Sequence, residues 1–225
     1  MSRAALDQDL LTMRDDLLRM CSLVDKSTAR ALEALKNQDN DLAQDIINDD
    51  DMIDELHQSV EEQVLTTFAR QQPVARDLRR IISDLLISNE LERMGDHAEG
   101  IAQAALRHPD SGPIQVPAQI TRMKETVHQM MQVVMEAFIS MDIEQARAAA
   151  DLDARMDELY QDLFSMLIGE MGAGERSIED GTYLLWAGHN LERIGDRVTN
   201  ISERIVYAHT GTVKDFNPKA DEVES

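Results

Sequence analysis

The residues in this chain best suited to chemistry are its carboxylates, and their spacing is helical. Nine Asp/Glu pairs stand four positions apart, a separation that puts both side chains on one helix face, a turn apart. Two carboxylates so placed offer oxygen ligands that share one hard cation or bridge two. With 43 acidic residues among 225, about eight such pairs arise at random when matches to that template are counted. What exceeds chance is correspondence. Asp50/Asp54 matches Asp153/Asp157, and Glu92/Asp96 matches Glu192/Asp196, in two copies of an internal repeat. These eight residues are the candidate metal ligands. The other reading, a solvated acidic face, stays open on the residues alone. Both copies keep like charges together at a cost of about 0.2–0.5 kcal/mol per pair.

The neighbours of these pairs carry further expectations. The run Asp49-Asp50-Asp51 also permits Asp51/Glu55, but the repeat alignment selects Asp50/Asp54. Gly95 and Gly195 lie between the two carboxylates of their pairs. A mid-helix glycine costs about 1 kcal/mol relative to alanine, so either close helix packing or clearance for an ion is expected there. Arg93 and Arg193 are expected as surface ion-pair partners, with phosphate binding as the other reading. His189 shares a face with Glu192 and Asp196, Asn89 takes its place in the first copy, and an exposed bystander is expected. His57 and His128 have no histidine counterparts. No nucleophile signature or glycine-rich phosphate loop is present, and no catalytic residue is assigned.

Long helices have to position these groups. The five prolines, Pro73, Pro109, Pro113, Pro117 and Pro218, all fall outside periodic segments, as expected when an interior proline costs about 3 kcal/mol. Between the breaks six helices are predicted: Ala4 to Asn37, Asp39 to Arg70, Pro73 to Arg107, Pro117 to Met141, Asp142 to Met171, and Ser177 to Tyr207. Asp142 with Gln145, and Ser177 with Asp180, resemble capping boxes. Leu184, Ala187, Leu191, Ile194, Val198, Ile201 and Ile205 alternate three and four apart, as do Ile87, Leu91, Met94, Ala98, Ile101 and Ala105. This is the seam of a packed bundle. Glu92 and Asp96 fall opposite that seam, on an expected outer face. Asp50 and Asp54 flank the second helix's apolar stripe, so a groove between helices is where the two pairs would meet.

The repeat covers whole units. Leu91-Glu92-Arg93-Met94-Gly95-Asp96 recurs as Leu191-Glu192-Arg193-Ile194-Gly195-Asp196, 100 positions on, and Met52 to His57 aligns with Arg155 to Tyr160 at an offset of 103. The predicted fold is all-α: two tandem three-helix bundles related by internal duplication. The first spans 1–108, a linker 109–116, the second 117–209, and a mobile acidic tail 210–225.

Charge narrows the partners. A net charge of −21 argues against nucleic acid and anionic membrane surfaces, which need clustered Lys and Arg. It favours divalent cations and basic protein partners. The single cysteine, Cys21, excludes an intramolecular disulfide and is expected to be buried in helix. The start has no signal-peptide pattern, and a cytoplasmic location is expected.

The doubled Leu-Glu-Arg-x-Gly-Asp, with the upstream segment Pro73-Val74-Ala75-Arg76-Asp77-Leu78-Arg79-Arg80-Ile81, resembles the PhoU family of phosphate transport system accessory proteins over roughly Leu6 to Ala208. The resemblance implies two bundles whose acidic motifs bind metal clusters at the surface. The ions it implies are divalent or trivalent: iron, zinc, manganese or magnesium. It further implies a cytoplasmic adaptor, often a homodimer, that reaches the membrane only through its partners. Those partners would be a phosphate ABC transporter and a sensor histidine kinase, and the role to hold the phosphate-starvation response off when phosphate is plentiful. Two other classes remain on the residues. A carboxylate di-metal enzyme usually carries paired ExxH motifs facing the bundle interior, whereas this chain has one ExxH, Glu125/His128. A metal-free helical scaffold is the third.

Overall fold

A computed structural model of the chain describes residues 3–108, 113–213 and 215–216. Among these residues the structure is helical, in the order α1 (Arg3–Asn37), α2 (Asn40–Gln71), α3 (Ala75–Arg107), α4 (Ala118–Ser140), α5 (Ile143–Asp151), α6 (Asp153–Ala173) and α7 (Ile178–Thr210). The ends follow the sequence signals. Asp39 caps α2 by accepting from the Leu42 N–H, Asp142 caps α5 through Glu144 and Gln145, and Ser177 caps α7 through Asp180. Pro117 precedes the first turn of α4 in an extended conformation, where its missing N–H costs nothing.

One predicted helix is corrected. Asp142 to Met171 is not a single rod but breaks at Leu152, where the N–H bonds back three residues to the Ala149 carbonyl. The tightened turn rolls Leu152 against the core. In the first copy the equivalent residue is Asp49, which pairs with Arg30 outside the core and leaves α2 unbroken.

The first bundle is α1–α3, and the second is α4, α5–α6 and α7, with α3 and α7 packed against each other at the centre. Every residue of both predicted seams is buried, and so is Cys21. The α3–α7 contact repeats the internal symmetry. His97 Nδ1 lies 3.1 Å from Asn190 Oδ1, and Arg197 donates to Glu90 at 3.3 Å. Under the 100-residue offset, His97 corresponds to Arg197 and Glu90 to Asn190, so this is one contact made twice. The helices therefore cross antiparallel about an approximate two-fold, near Met94 and Ile194. Trp186 Nε1 donates to the Gly100 carbonyl across the same interface, and buried His108 bridges Gln38 and Asp180 at its end.

The α3 seam contains one acid. Asp84 is 1% exposed, and its Oδ2 accepts no hydrogen bond among the described residues. Burial pushes its carboxyl up to about 7, and Arg80 one turn away opposes the shift. The second copy has Leu184 there, fully buried.

The linker and the tail are partly described. Residues 109–112, 214 and 217–225 lie outside the described residues, with most of the expected mobile tail. Ile114 is buried and donates its N–H to the Lys36 carbonyl. Beyond Gly211, Phe216 packs back on the core and donates its N–H to Glu203, so this part of the tail folds onto α7.

Candidate metal centre

The groove between α2 and α3 brings the two carboxylate pairs of the first copy together. Asp50 feels the charges of Asp54, Glu99, Asp96 and Glu92. One ligand oxygen each from Asp50, Asp96 and Glu99 lies within 4.8 Å of the others. Burial first, and these neighbours second, push the Asp50 carboxyl up to about 7. Glu92 and Asp96 are raised as well, each mainly by burial, with Asp96 and Asp54 respectively the largest neighbouring charges. Among the described residues no salt bridge neutralises Asp50, Asp54, Glu92, Asp96 or Glu99.

The second groove, between α6 and α7, has the same plan with different surroundings. Glu192 is pushed up to about 7 by burial, then by Asp196, with Asp157 and Asp153 adding to the shift. Asp196 is raised by burial and opposed by Arg193, whose guanidinium donates to it at 2.9 Å. All eight predicted ligands thus fall into two groups of four, one per groove. Asp54 and Asp96 are exposed, in keeping with the expected outer face, Asp50, Glu92, Asp157, Glu192 and Asp196 are half-buried, and Asp153 at 8% exposure is buried, because the helix flanks close over side chains that a lone helix would leave in water.

The neighbours resolve too. Asp51 and Glu55 are both exposed, and Glu55 lines a different groove, between α1 and α2. Both glycines sit where helices approach closely, and at Gly95 the nearest atom is a candidate ligand oxygen. A Cβ on Gly95 would stand 2.8 Å from Asp50 Oδ1 and 3.0 Å from Ile53, and one on Gly195 would stand 3.3 Å from Met156. Arg93 is exposed, whereas Arg193 is the ion-pair partner already described. His189 is exposed, as expected, with its ring near Tyr160 and Trp186 and its Nδ1 3.6 Å from Glu192. Glu99 was missed because repeat correspondence selected the candidates and its counterpart is Thr199. The three-residue step from Asp96 to Glu99, which continues the Glu92/Asp96 face, is the signal that finds it.

The donor set suits a metal. Clustered carboxylates, with burial raising Asp50, Glu92, Asp96, Glu192 and Asp196, are surroundings that hard cations stabilise through oxygen ligands. Fold and site define a class: duplicated helical proteins with a carboxylate-lined groove in each half. The PhoU domain family model matches residues 17–105 and again 120–205. The chain belongs to the PhoU family. A phosphate-specific transport system accessory protein PhoU homolog of Clostridium acetobutylicum is 35% identical over 96% of this chain and 100% of its own length. A homolog of the same description from Rhizobium meliloti is 31% identical over 99% and 94%. The crystal structure of the phosphate transport system regulatory protein PhoU from Streptococcus pneumoniae superposes with a TM-score of 0.86 at 32% identity, covering 93% of this chain and 99% of that one. PhoU from Pseudomonas aeruginosa gives 0.84 at 33%, covering 92% and 99%.

Proposed function

We propose that this chain is a non-enzymatic, metal-binding regulator of phosphate uptake and signalling that works in the cytoplasm. Relatives matched over nearly the whole chain are named phosphate transport accessory proteins, which supports the transport role. No helix among the described residues is long and apolar enough to cross a membrane, so contact with membrane components runs through partners. Those partners are a phosphate ABC transporter and a sensor histidine kinase. The chain acts between them as an adaptor that represses the starvation response when phosphate is plentiful.

The observation that carries the metal reading is the convergence of Asp50, Asp54, Glu92 and Asp96 in one groove with no salt bridge to any of the four among the described residues. Asp153, Asp157, Glu192 and Asp196 form the second set. A bound iron, zinc, manganese or magnesium ion would supply positive charge that lets these carboxylates stay ionised side by side.

Elemental analysis of chain purified without chelator tests the ligand set. Bound metal is expected, and the combined Glu92→Ala, Asp96→Ala, Glu192→Ala, Asp196→Ala variant should lose most of it. Unchanged metal content in that variant refutes the assignment. The adaptor role is tested separately by pull-down of transporter and kinase subunits from cells grown in high and low phosphate. Recovery of neither subunit in either condition refutes it.

A further inference from the structure

His57 and Ser88 meet across the groove between α2 and α3, one turn beyond Asp54 and Glu92. Ser88 is fully buried, and its hydroxyl donates to the Leu85 carbonyl at 2.8 Å. A serine has one proton to give, so its oxygen is the acceptor for His57 Nδ1, 3.1 Å away. In the neutral ring the hydrogen then sits on Nδ1 and the lone pair on Nε2. Nε2 lies 3.7 Å from Glu61 Oε1, beyond hydrogen-bond reach, and His57 is among the groups close enough to act on Glu92. As an ion pair with Glu61, a carboxylate 53% exposed, the ring would contribute little. A metal-ligating histidine donates its other N–H to a fixed acceptor, and a half-buried imidazole held by a buried hydroxyl, with its free nitrogen turned toward carboxylates, has that arrangement. The second copy replaces both members together. Tyr160 stands in place of His57 and Gly188 in place of Ser88, and a Cβ on Gly188 would stand 2.3 Å from Leu163 and 3.6 Å from Tyr160.

We propose that, given the metal role set out above for the groove, His57 is a nitrogen ligand to zinc or ferrous iron, held with Asp54 and Glu92. Donor chemistry selects the ion. The far end of the same groove, where Asp50, Asp96 and Glu99 gather, offers oxygen alone, and such sites suit magnesium and manganese. Imidazole nitrogen suits zinc and iron and adds little for magnesium, which keeps oxygen ligands and water. Zinc commonly takes mixed nitrogen and oxygen sets. Ser88 is a positioning residue that fixes the tautomer and turns the ring. The second groove also has an imidazole, His189 on α7, 3.6 Å from Glu192. That ring is exposed and makes no hydrogen bond among the described residues, so nothing orients it as Ser88 orients His57. The two grooves therefore differ in ion preference, and the first holds the site selective for zinc or ferrous iron.

The test uses the full chain carrying Glu192→Ala and Asp196→Ala, which removes two carboxylates from the second groove. This parent is stripped of metal and titrated with zinc alone or manganese alone. X-ray absorption at the zinc edge should show imidazole scattering in the parent and its loss when His57→Gln is added. His57→Gln and Ser88→Ala should each weaken zinc binding about 10–100-fold, and manganese binding by less than about threefold. Helicity by circular dichroism should be unchanged in both. Ser88→Ala keeps the ring and removes only its anchor, so a loss of zinc affinity there reports orientation rather than a missing donor. Unchanged zinc affinity in His57→Gln, imidazole that persists on zinc in that variant, or equal losses for zinc and manganese overturns the proposal. A parent that binds both ions and coordinates zinc through oxygen alone overturns it while leaving the groove's metal role intact. A parent that binds neither ion overturns both.

Discussion

Asp84→Leu should stabilise this protein, and should do so far more at pH 8 than at pH 5. The carboxyl lies in the α3 core seam and is pushed from its usual 3.8 to about 7 by burial. The sign follows from proton binding: the unfolded chain releases the Asp84 proton near 3.8, while the folded chain holds it until about 7. Below the lower value both states are protonated and ionisation costs nothing. Between the two, the folded state loses stability as pH rises, and above the higher value the whole penalty is present. Three units at 1.36 kcal/mol each give about 4 kcal/mol. That is a ceiling, since local opening that admits water to the carboxylate relieves part of it. From pH 5 to pH 8 the change amounts to about 2–3 kcal/mol. Leucine fits the position by symmetry, because Leu184 fills it in the second copy. At about 2–4 °C per kcal/mol for a chain of this size, the variant should melt above wild type at pH 8 by at most about 8–16 °C. The assay is thermal unfolding of both proteins across pH 5–8.5 in chelator, with Asp84→Asn as the control that removes the charge and keeps the shape. An advantage of equal size at pH 5 and pH 8 would show that Asp84 never ionises in the folded state and would refute the reasoning.

Gly95→Ala should be harder to accommodate than Gly195→Ala. Its Cβ meets Asp50 Oδ1 at 2.8 Å, against 3.3 Å from Met156 for the other. Overpacking of about 1–3 kcal/mol is expected only at Gly95, with displacement of Asp50 and reduced metal uptake, and equal effects in urea melts would contradict this. Glu90→Ala removes the acceptor of half-buried Arg197 and Asn200 at the bundle–bundle contact, a loss of about 2–3 kcal/mol. Unfolding followed by Trp186 emission should report it, because that indole bonds to Gly100 across the same interface. Manganese added to apoprotein should raise the melting midpoint by an amount worth about 2.7 kcal/mol at a hundredfold excess over Kd. The gain should vanish in an Asp50→Asn, Asp96→Asn double variant, and a midpoint indifferent to the ion would count against the grooves as metal sites.

The long helices, bundle seams and the duplication were legible in the sequence because they rest on periodicity, and every seam residue from Ile87 to Ala105 and from Leu184 to Ile205 named above is buried. The break at Leu152 was not legible, since no glycine or proline marks it and the turn is tightened by packing of Leu152 itself. Repeat correspondence selects the eight candidate carboxylates, and the same criterion hides Glu99, whose counterpart is Thr199. Asp84 escaped notice for a different reason. In the sequence it is one acid among 43, and only the α1–α3 packing shows that it has no route to water. The depth of the grooves depends on how α2 and α6 lie on their neighbours, which no single-helix projection contains.

The approximate two-fold gives each departure from symmetry a meaning. The contacts through Glu90 and Arg197, and through Asn190 and His97, preserve the geometry while one ion pair becomes a neutral pair, so the interface tolerates exchange of chemistry at fixed shape. The four carboxylates of each groove are kept in chemical kind, including the like-charge repulsion they bring. A packing role alone would be met by any polar side chains of similar size, as the Glu90/Asn190 exchange demonstrates next door. Retention of acids at eight positions therefore asks for a reason specific to negative charge, and a bound cation supplies one. The surroundings have diverged around that constant set: the first groove adds Glu99 and feels Arg93 only through space, while the second pairs Arg193 with Asp196. On the metal-binding proposal, the first groove, with Glu99 added and no ion pair to these carboxylates among the described residues, is the one that a divalent ion would fill first.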